Sequence, residues 1–281
     1  MPKLSESIAV PLIKYGIPLS VMGLLLKEGI DIDLIKTALI AFFLIGFLIF
    51  SINYLPILKT RLPNYSLQLA GLIGNTSFLG IPIAIALLPT STINFTIGFD
   101  LGTTLFAWIF GPIFLQKKGS SNSTLNFKKL LKAILNSPAS RGIIGVLVVY
   151  LFNLERVLGD YLWIPARVVI VLAIVVVGTR LGIITNNKTK FFNLNQGIKF
   201  SIILKLFILP LIIFFVSKIM NLNINETSAV VLQAGTPSAV STILMAEAYK
   251  TNQMIAATIL FTTTLISITT IPILAYLLNT L

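Results

Sequence analysis

Two apolar stretches, Leu69–Leu88 and Leu232–Lys250, have the length of membrane spans, and each is broken near its middle. The first carries Gly74-Asn75-Thr76-Ser77 and the second Gly235-Thr236-Pro237-Ser238. A backbone N–H or C=O left unpaired in hydrocarbon costs several kcal/mol, so a break at mid-depth survives only against other protein or a watery cavity. Breaks at corresponding positions of two halves are the sequence mark of a binding site built where two discontinuous helices meet.

Composition agrees with a chain that lives in a bilayer. Of 281 residues, 56% are hydrophobic and only 11% are charged, too little polar surface to cover a soluble globule. The expected fold class is an all-α polytopic membrane protein. The formal net charge of +12 would suggest nucleic acid as the partner of a soluble protein. Here the basic residues sit mainly in short loops, where they set membrane orientation, and no nucleic-acid partner is expected. The chain has neither Cys nor His, which argues against disulfides, thiolate nucleophiles, imidazole relays and most zinc sites. Accordingly no enzyme activity, metal or cofactor is expected. Pro11, Lys14 and Pro18 interrupt the first apolar run, which does not read as a cleaved signal peptide.

Nine spans are expected, near residues 8–26, 33–55, 66–88, 93–115, 139–154, 162–183, 198–217, 227–248 and 254–278, each about 17–25 residues long. With nine crossings, one side of the membrane receives Lys59, Arg61, the basic loop from Lys117 to Arg141, the group from Arg180 to Lys199, and Lys250. The other side receives only Lys27, Lys36, Arg156, Arg167 and Lys218. The positive-inside rule then puts the N-terminus in the cytoplasm and the C-terminus outside. The connection 116–137 divides the chain. Its Leu125, Phe127, Leu130, Leu131, Ile134 and Leu135 interleave with Lys128, Lys129 and Lys132 at near-helical spacing, as in an amphipathic helix lying on anionic lipid.

The expected organisation is a first repeat of four spans (1–115), a cytoplasmic linker (116–137) and a second repeat of five spans (138–281). Spans one to four correspond to spans six to nine. An offset of five crossings is odd, so corresponding spans enter from opposite faces, an inverted repeat with two broken crossover helices.

The motifs G-N-T-S-F-L-G-I-P (Gly74 to Pro82) and Q-A-G-T-P-S-A-V (Gln233 to Val240), the latter followed by A-E-A-Y (Ala246 to Tyr249), resemble the paired signatures of the auxin efflux carrier family, which includes plant auxin carriers and bacterial malate or malonate permeases. The resemblance implies a five-plus-five inverted repeat, with a scaffold bundle and a transport bundle whose broken helices cross at the substrate. Ten spans are usual in that family. Nine here would mean that the opening helix is missing, which agrees with a cytoplasmic N-terminus. The family's second motif more often reads P-P-A-V-N, whereas this chain has Ser238 and Ser241 in that run. That departure loosens any transfer of substrate identity.

Helix ends at a break offer free N–H groups and the positive end of the macrodipole, so a small organic anion is the natural guest. Asn75 and Ser238 are the expected direct ligands, with Thr76 adding a hydroxyl. Gly74 and Pro237 are expected to create the breaks, and the glycines, Gly74 and Gly235, to let the ligand approach the backbone. Asp100, set into the fourth span, is a candidate proton-coupling group, or else a carboxylate facing a polar crevice or paired with a buried cation. Lys14 and Lys205 are expected to snorkel to the cytoplasmic interface, with Lys205 a second-choice counter-ion for an acidic substrate. Trp108, Trp163, Tyr161 and Tyr65 read as interfacial anchors. The hydroxyl-rich run 262–270 reads as back-bonding to its own helix or a packed interface. The functional expectation is a secondary transporter of a small organic anion, auxin-like or a dicarboxylate, in the cell membrane. The alternatives are a non-transporting receptor on the same fold and a cation/proton exchanger. An exchanger would be expected to carry a carboxylate pair at the crossover, which the two motifs lack. Lipid surrounds the chain in every case, and a scaffold bundle of this kind commonly supplies a homodimer surface.

Overall fold

The structure is a computed structural model describing residues 11, 15–115, 135, 138–166, 168–169, 172 and 194–280. Lys14, Arg167, the linker 116–137 apart from Leu135, and most of the expected sixth span (162–183) lie outside the described residues. Among the described residues the regular structure is helical, in chain order α1 (Ile17–Glu28), α2 (Ile32–Tyr54), α3 (Pro56–Arg61), α4 (Tyr65–Leu72), α5 (Ile81–Leu87), α6 (Ile93–Leu115) and α7 (Pro138–Leu151). There follow α8 (155–166), α9 (Gln196–Ile219), α10 (Ile224–Ala234), α11 (Val240–Ala248) and α12 (Gln253–Asn279).

Four helices are long and apolar enough to cross a bilayer unbroken: Ile32–Tyr54, Thr90–Leu115, Gln196–Ile219 and Gln253–Asn279. They coincide with the expected second, fourth, seventh and ninth spans. The expected third and eighth are absent from that group because each is two shorter helices, α4 with α5 and α10 with α11. Several helix starts carry a side-chain cap. Asp31 accepts from the backbone N–H groups of Asp33 and Leu34 at the start of α2, and Asn64 and Asn195 do the same for α4 and α9. At α10, Asn223 and Glu226 form a reciprocal capping box. Caps of this kind end the loops sharply and hold each helix in register.

Close packing fixes α6 against α2. A Cβ at Gly98 would lie 2.4 Å from the Leu34 carbonyl oxygen, and one at Gly102 would lie 2.1 Å from that of Ala38. Gly98 and Gly102 are thus a small-xxx-small pair that brings two backbones into direct contact, the usual way for membrane helices to gain dispersion energy without a hydrophobic driving force. We predict that Gly102→Leu separates α6 from α2 and destabilises the protein by at least about 1–3 kcal/mol. A Tm within 1 °C of wild type in detergent, measured by tryptophan fluorescence, would contradict this packing.

The opposite face of α2 carries Ile35, Leu39, Phe43, Phe47, Phe50 and Tyr54, spaced four or three apart and all exposed. A continuous apolar stripe on one helix face is what acyl chains cover. Tyr65 and Trp108 do not behave as simple interfacial anchors. Tyr65 stacks on Phe114, and Trp108 sits two-thirds of the way along α6, packed against the core. The apolar core holds α2, α6, α9 and α12 around the two broken helices, and these positions set the site.

Candidate functional site

The two breaks meet each other. Gly74 and Ser238 face one another as a short antiparallel pair. The Asn75 N–H donates to the Pro237 carbonyl at 2.7 Å, and the Ala239 N–H donates to the Ile73 carbonyl at 2.9 Å. This answers the cost that made the breaks improbable from sequence: backbone groups stranded by one interruption are paired by the other. Pro237 has no N–H to strand, and the Ser238 N–H donates to Thr263 Oγ1 of α12 at 3.1 Å. Thr263 in turn donates to the Ile259 carbonyl at 2.7 Å, so one hydroxyl ties the crossing to the last helix.

All six expected binding residues lie at or beside this crossing. Gly74, Asn75, Thr76, Pro237 and Ser238 form it, and Asn75, Thr76 and Ser238 are buried. Gly235 caps the C-terminus of α10, where an added Cβ would meet a Leu274 methyl of α12 at 2.7 Å. Downstream of Asn75 the chain re-enters the helix through a wide π-type turn, Thr76–Gly80, before α5. Such turns carry one extra residue and recur at functional positions.

Lys205 overturns the snorkelling expectation. It is 1% exposed, and its Nζ donates to the Ala234 carbonyl, at the end of α10, at 2.5 Å. It lies on the buried face of α9 with Ile198, Ser201 and Ile202, at a second π-type turn, Leu204–Ile208, in which Leu204, Lys205 and Leu206 are all buried. A Cβ on Gly74 would stand 3.0 Å from the ammonium nitrogen and 2.5 Å from Thr236 Oγ1, so only glycine lets both groups reach the crossing.

Asp100 is fully buried on α6. Its Oδ1 accepts from the Thr76 hydroxyl at 2.5 Å and the Ser77 hydroxyl at 2.6 Å. Among the described residues no basic side chain lies within ion-pairing distance of it. The polar groups that this carboxylate faces are hydroxyls at the break itself. The described charged side chains that are buried are therefore one cation and one anion, bracketing the crossing from α9 and α6.

Three buried oxygens here lack a hydrogen-bond partner: Ser238 Oγ, Gln233 Oε1 and Asp100 Oδ2. Buried polar atoms are normally paired, so these three are exceptions near the breaks. Gln233, whose Nε2 donates to the Thr96 carbonyl at 3.3 Å, is a residue that sequence reasoning passed over, although it opens the second motif. Ser77 was passed over likewise. Thr263 offered no signal, being one hydroxyl among many in its run; the back-bonding expected for that run holds for Thr263, Thr264 and Ser267.

Long apolar helices around two broken helices that cross at a polar, charge-bearing point define a multi-pass helical membrane protein. The sequence confirms the class. Residues 21–275 match the family described as "Membrane transport protein", that of the auxin efflux carriers, and the chain belongs to it. A curated relative, the "Uncharacterized transporter MJ1031" of Methanocaldococcus jannaschii, is 23% identical over 199 residues. That alignment covers 70% of this chain and 63% of the relative, so the chain spans somewhat less than two-thirds of the relative's length.

Proposed function

We propose that the crossing binds a small organic anion and that the protein carries it across the cell membrane by alternating access. The observation that carries this reading is the buried Lys205 ammonium, held beside Gly74 at the point where the two breaks pair. A buried cation whose one hydrogen bond among the described residues goes to a carbonyl is a ready counter-charge for a carboxylate. Asn75 and Ser238 supply directional hydrogen bonds beside it, and Gln233 Oε1 accepts a donor from the ligand. The two π-type turns, Thr76–Gly80 and Leu204–Ile208, give the site wall local backbone slack of the kind a moving site needs.

The inverted repeat 1–115 against 138–281, the cytoplasmic N-terminus and the outward C-terminus belong to the same proposal, resting on the loop charges. A non-transporting receptor would use the same site without turnover. An exchanger built on paired carboxylates is disfavoured, because among the described residues the crossing holds one carboxylate, Asp100.

The test is uptake into proteoliposomes of labelled mono- and dicarboxylates, including indole-3-acetate and malate, under imposed pH and potential gradients. We expect saturable uptake of at least one acid, and a loss of about tenfold in Asn75→Ala, the cost of one or two directed hydrogen bonds. Binding without uptake would favour the receptor. Neither binding nor uptake by folded protein would remove the organic-anion assignment.

A further inference from the structure

We propose that Asp100, Thr76, Ser77 and the Gly74 carbonyl form a binding site for a small monovalent cation, Na+, whose occupancy is coupled to anion binding at the crossing. The coupling role rests on the transport reading above; the cation site stands on its own geometry.

Its oxygens are already gathered. Asp100 Oδ1 draws in the Thr76 and Ser77 hydroxyls at 2.5 and 2.6 Å, and the Thr76 hydroxyl also reaches the Gly74 carbonyl at 3.5 Å. That carbonyl lies in the break, beyond the C-terminal end of α4, and among the described residues it takes no backbone hydrogen bond. The independent observation is Asp100 Oδ2, which is buried and has no partner. A fully buried ionised carboxylate with neither a basic neighbour nor a donor on its second oxygen is costly unless a cation or a proton completes it.

Hard cations take oxygen ligands, and in transporters with discontinuous helices the carbonyls freed by unwinding do this work for Na+. A single carboxylate balances a single positive charge, whereas Ca2+ sites draw on several carboxylates and more ligands than are gathered here. Charge neutrality supplies the coupling. Lys205 and Asp100 cancel in the empty crossing, an organic anion on Lys205 leaves a surplus negative charge, and one Na+ on Asp100 removes it. Each ligand then binds better in the presence of the other, by the same factor. Thr76 makes the link short, since it touches Asp100 while its neighbour Asn75 lies in the anion site.

The experiment needs no organic substrate. The Tm of the purified full chain is measured in NaCl, KCl and choline chloride at equal ionic strength, for wild type, Asp100→Asn and Ser77→Ala. We expect NaCl to raise the wild-type Tm by about 3 °C over choline, through mass action on the folded state. Asp100→Asn should abolish the difference, and Ser77→Ala should move the half-saturating NaCl concentration up by about tenfold. Should Asp100→Asn fail to fold, Ser77→Ala alone still decides. Equal stability in NaCl and choline, or an unchanged sodium response in Ser77→Ala and Asp100→Asn, overturns the site. Uptake driven by a pH gradient with no sodium present also overturns it, by assigning Asp100 to a proton. If sodium binds and no carboxylate is carried, the cation site stands and the anion reading falls.

Discussion

Lys205→Met abolishes carboxylate uptake and leaves the fold intact. The substitution keeps the length and bulk of a side chain that is 1% exposed, and it removes the one buried cation found among the described residues. Without that ammonium an anion entering the crossing faces Asp100 uncompensated. Breaking a buried charge pair by removing one partner costs about 3–5 kcal/mol, so uptake should fall by roughly 10²- to 10⁴-fold. Folding should respond in the opposite sense. Lys205 is in no ion pair among the described residues, so its removal relieves the cost of desolvating a lone cation, and the Tm should hold or rise. Lys205→Arg should not rescue uptake, because a planar guanidinium does not fit the place of a compact ammonium packed against Gly74 and the Ala234 carbonyl. Wild-type uptake in Lys205→Met would show that the lysine only fills space.

Gly74→Val should remove uptake and stability together. Its first added carbon would fall 2.5 Å from Thr236 Oγ1 and 3.1 Å from Lys205 Cε, with backbone pairing on both sides allowing little retreat. Overpacking of this kind costs about 1–3 kcal/mol, and losing the two hydrogen bonds across the crossing adds about 0.5–1.5 kcal/mol each. The thermal transition should move down by several degrees and the yield of folded protein should drop. Set beside Lys205→Met, the pair separates what builds the crossing from what binds in it. A Gly74→Val protein as stable and active as wild type would mean that the two breaks do not touch.

The parts of the molecule legible in the sequence are those governed by local rules. Span lengths follow from hydropathy, so α2, α6 and α12 lie within a residue or so of their expected bounds. The broken spans announce themselves through Gly, Asn and Pro placed in apolar runs. What could not be read is set by rotation about a helix axis. Lys205 lies a few residues inside the start of its expected span, where a lysine would snorkel, yet it sits on the face of α9 that packing buries, with Ile198, Ser201, Ile202 and Leu209. The same holds for Asp100: the sequence gives its depth in the span, but that it meets Thr76 and Ser77 depends on how α6 lies against the first break. Thr263 was hidden for a different reason. Its run is rich in hydroxyls that bond back to their own helix, and only the tertiary fold selects the one that also receives the Ser238 N–H.

The chain contains no cysteine, so Ser238→Cys places a single thiol at the crossing. Ser238 is fully buried in the present structure, so a membrane-impermeant maleimide reaches position 238 only when the site opens to one face. The decisive measurement is the labelling rate of that thiol from each side of a proteoliposome, with and without the acid that the protein transports. The crossing as substrate site predicts labelling that the acid slows at least tenfold, with half-protection at the concentration that gives half-maximal uptake. Labelling unchanged at saturating acid, or a thiol unreactive from both sides while transport proceeds, would contradict it.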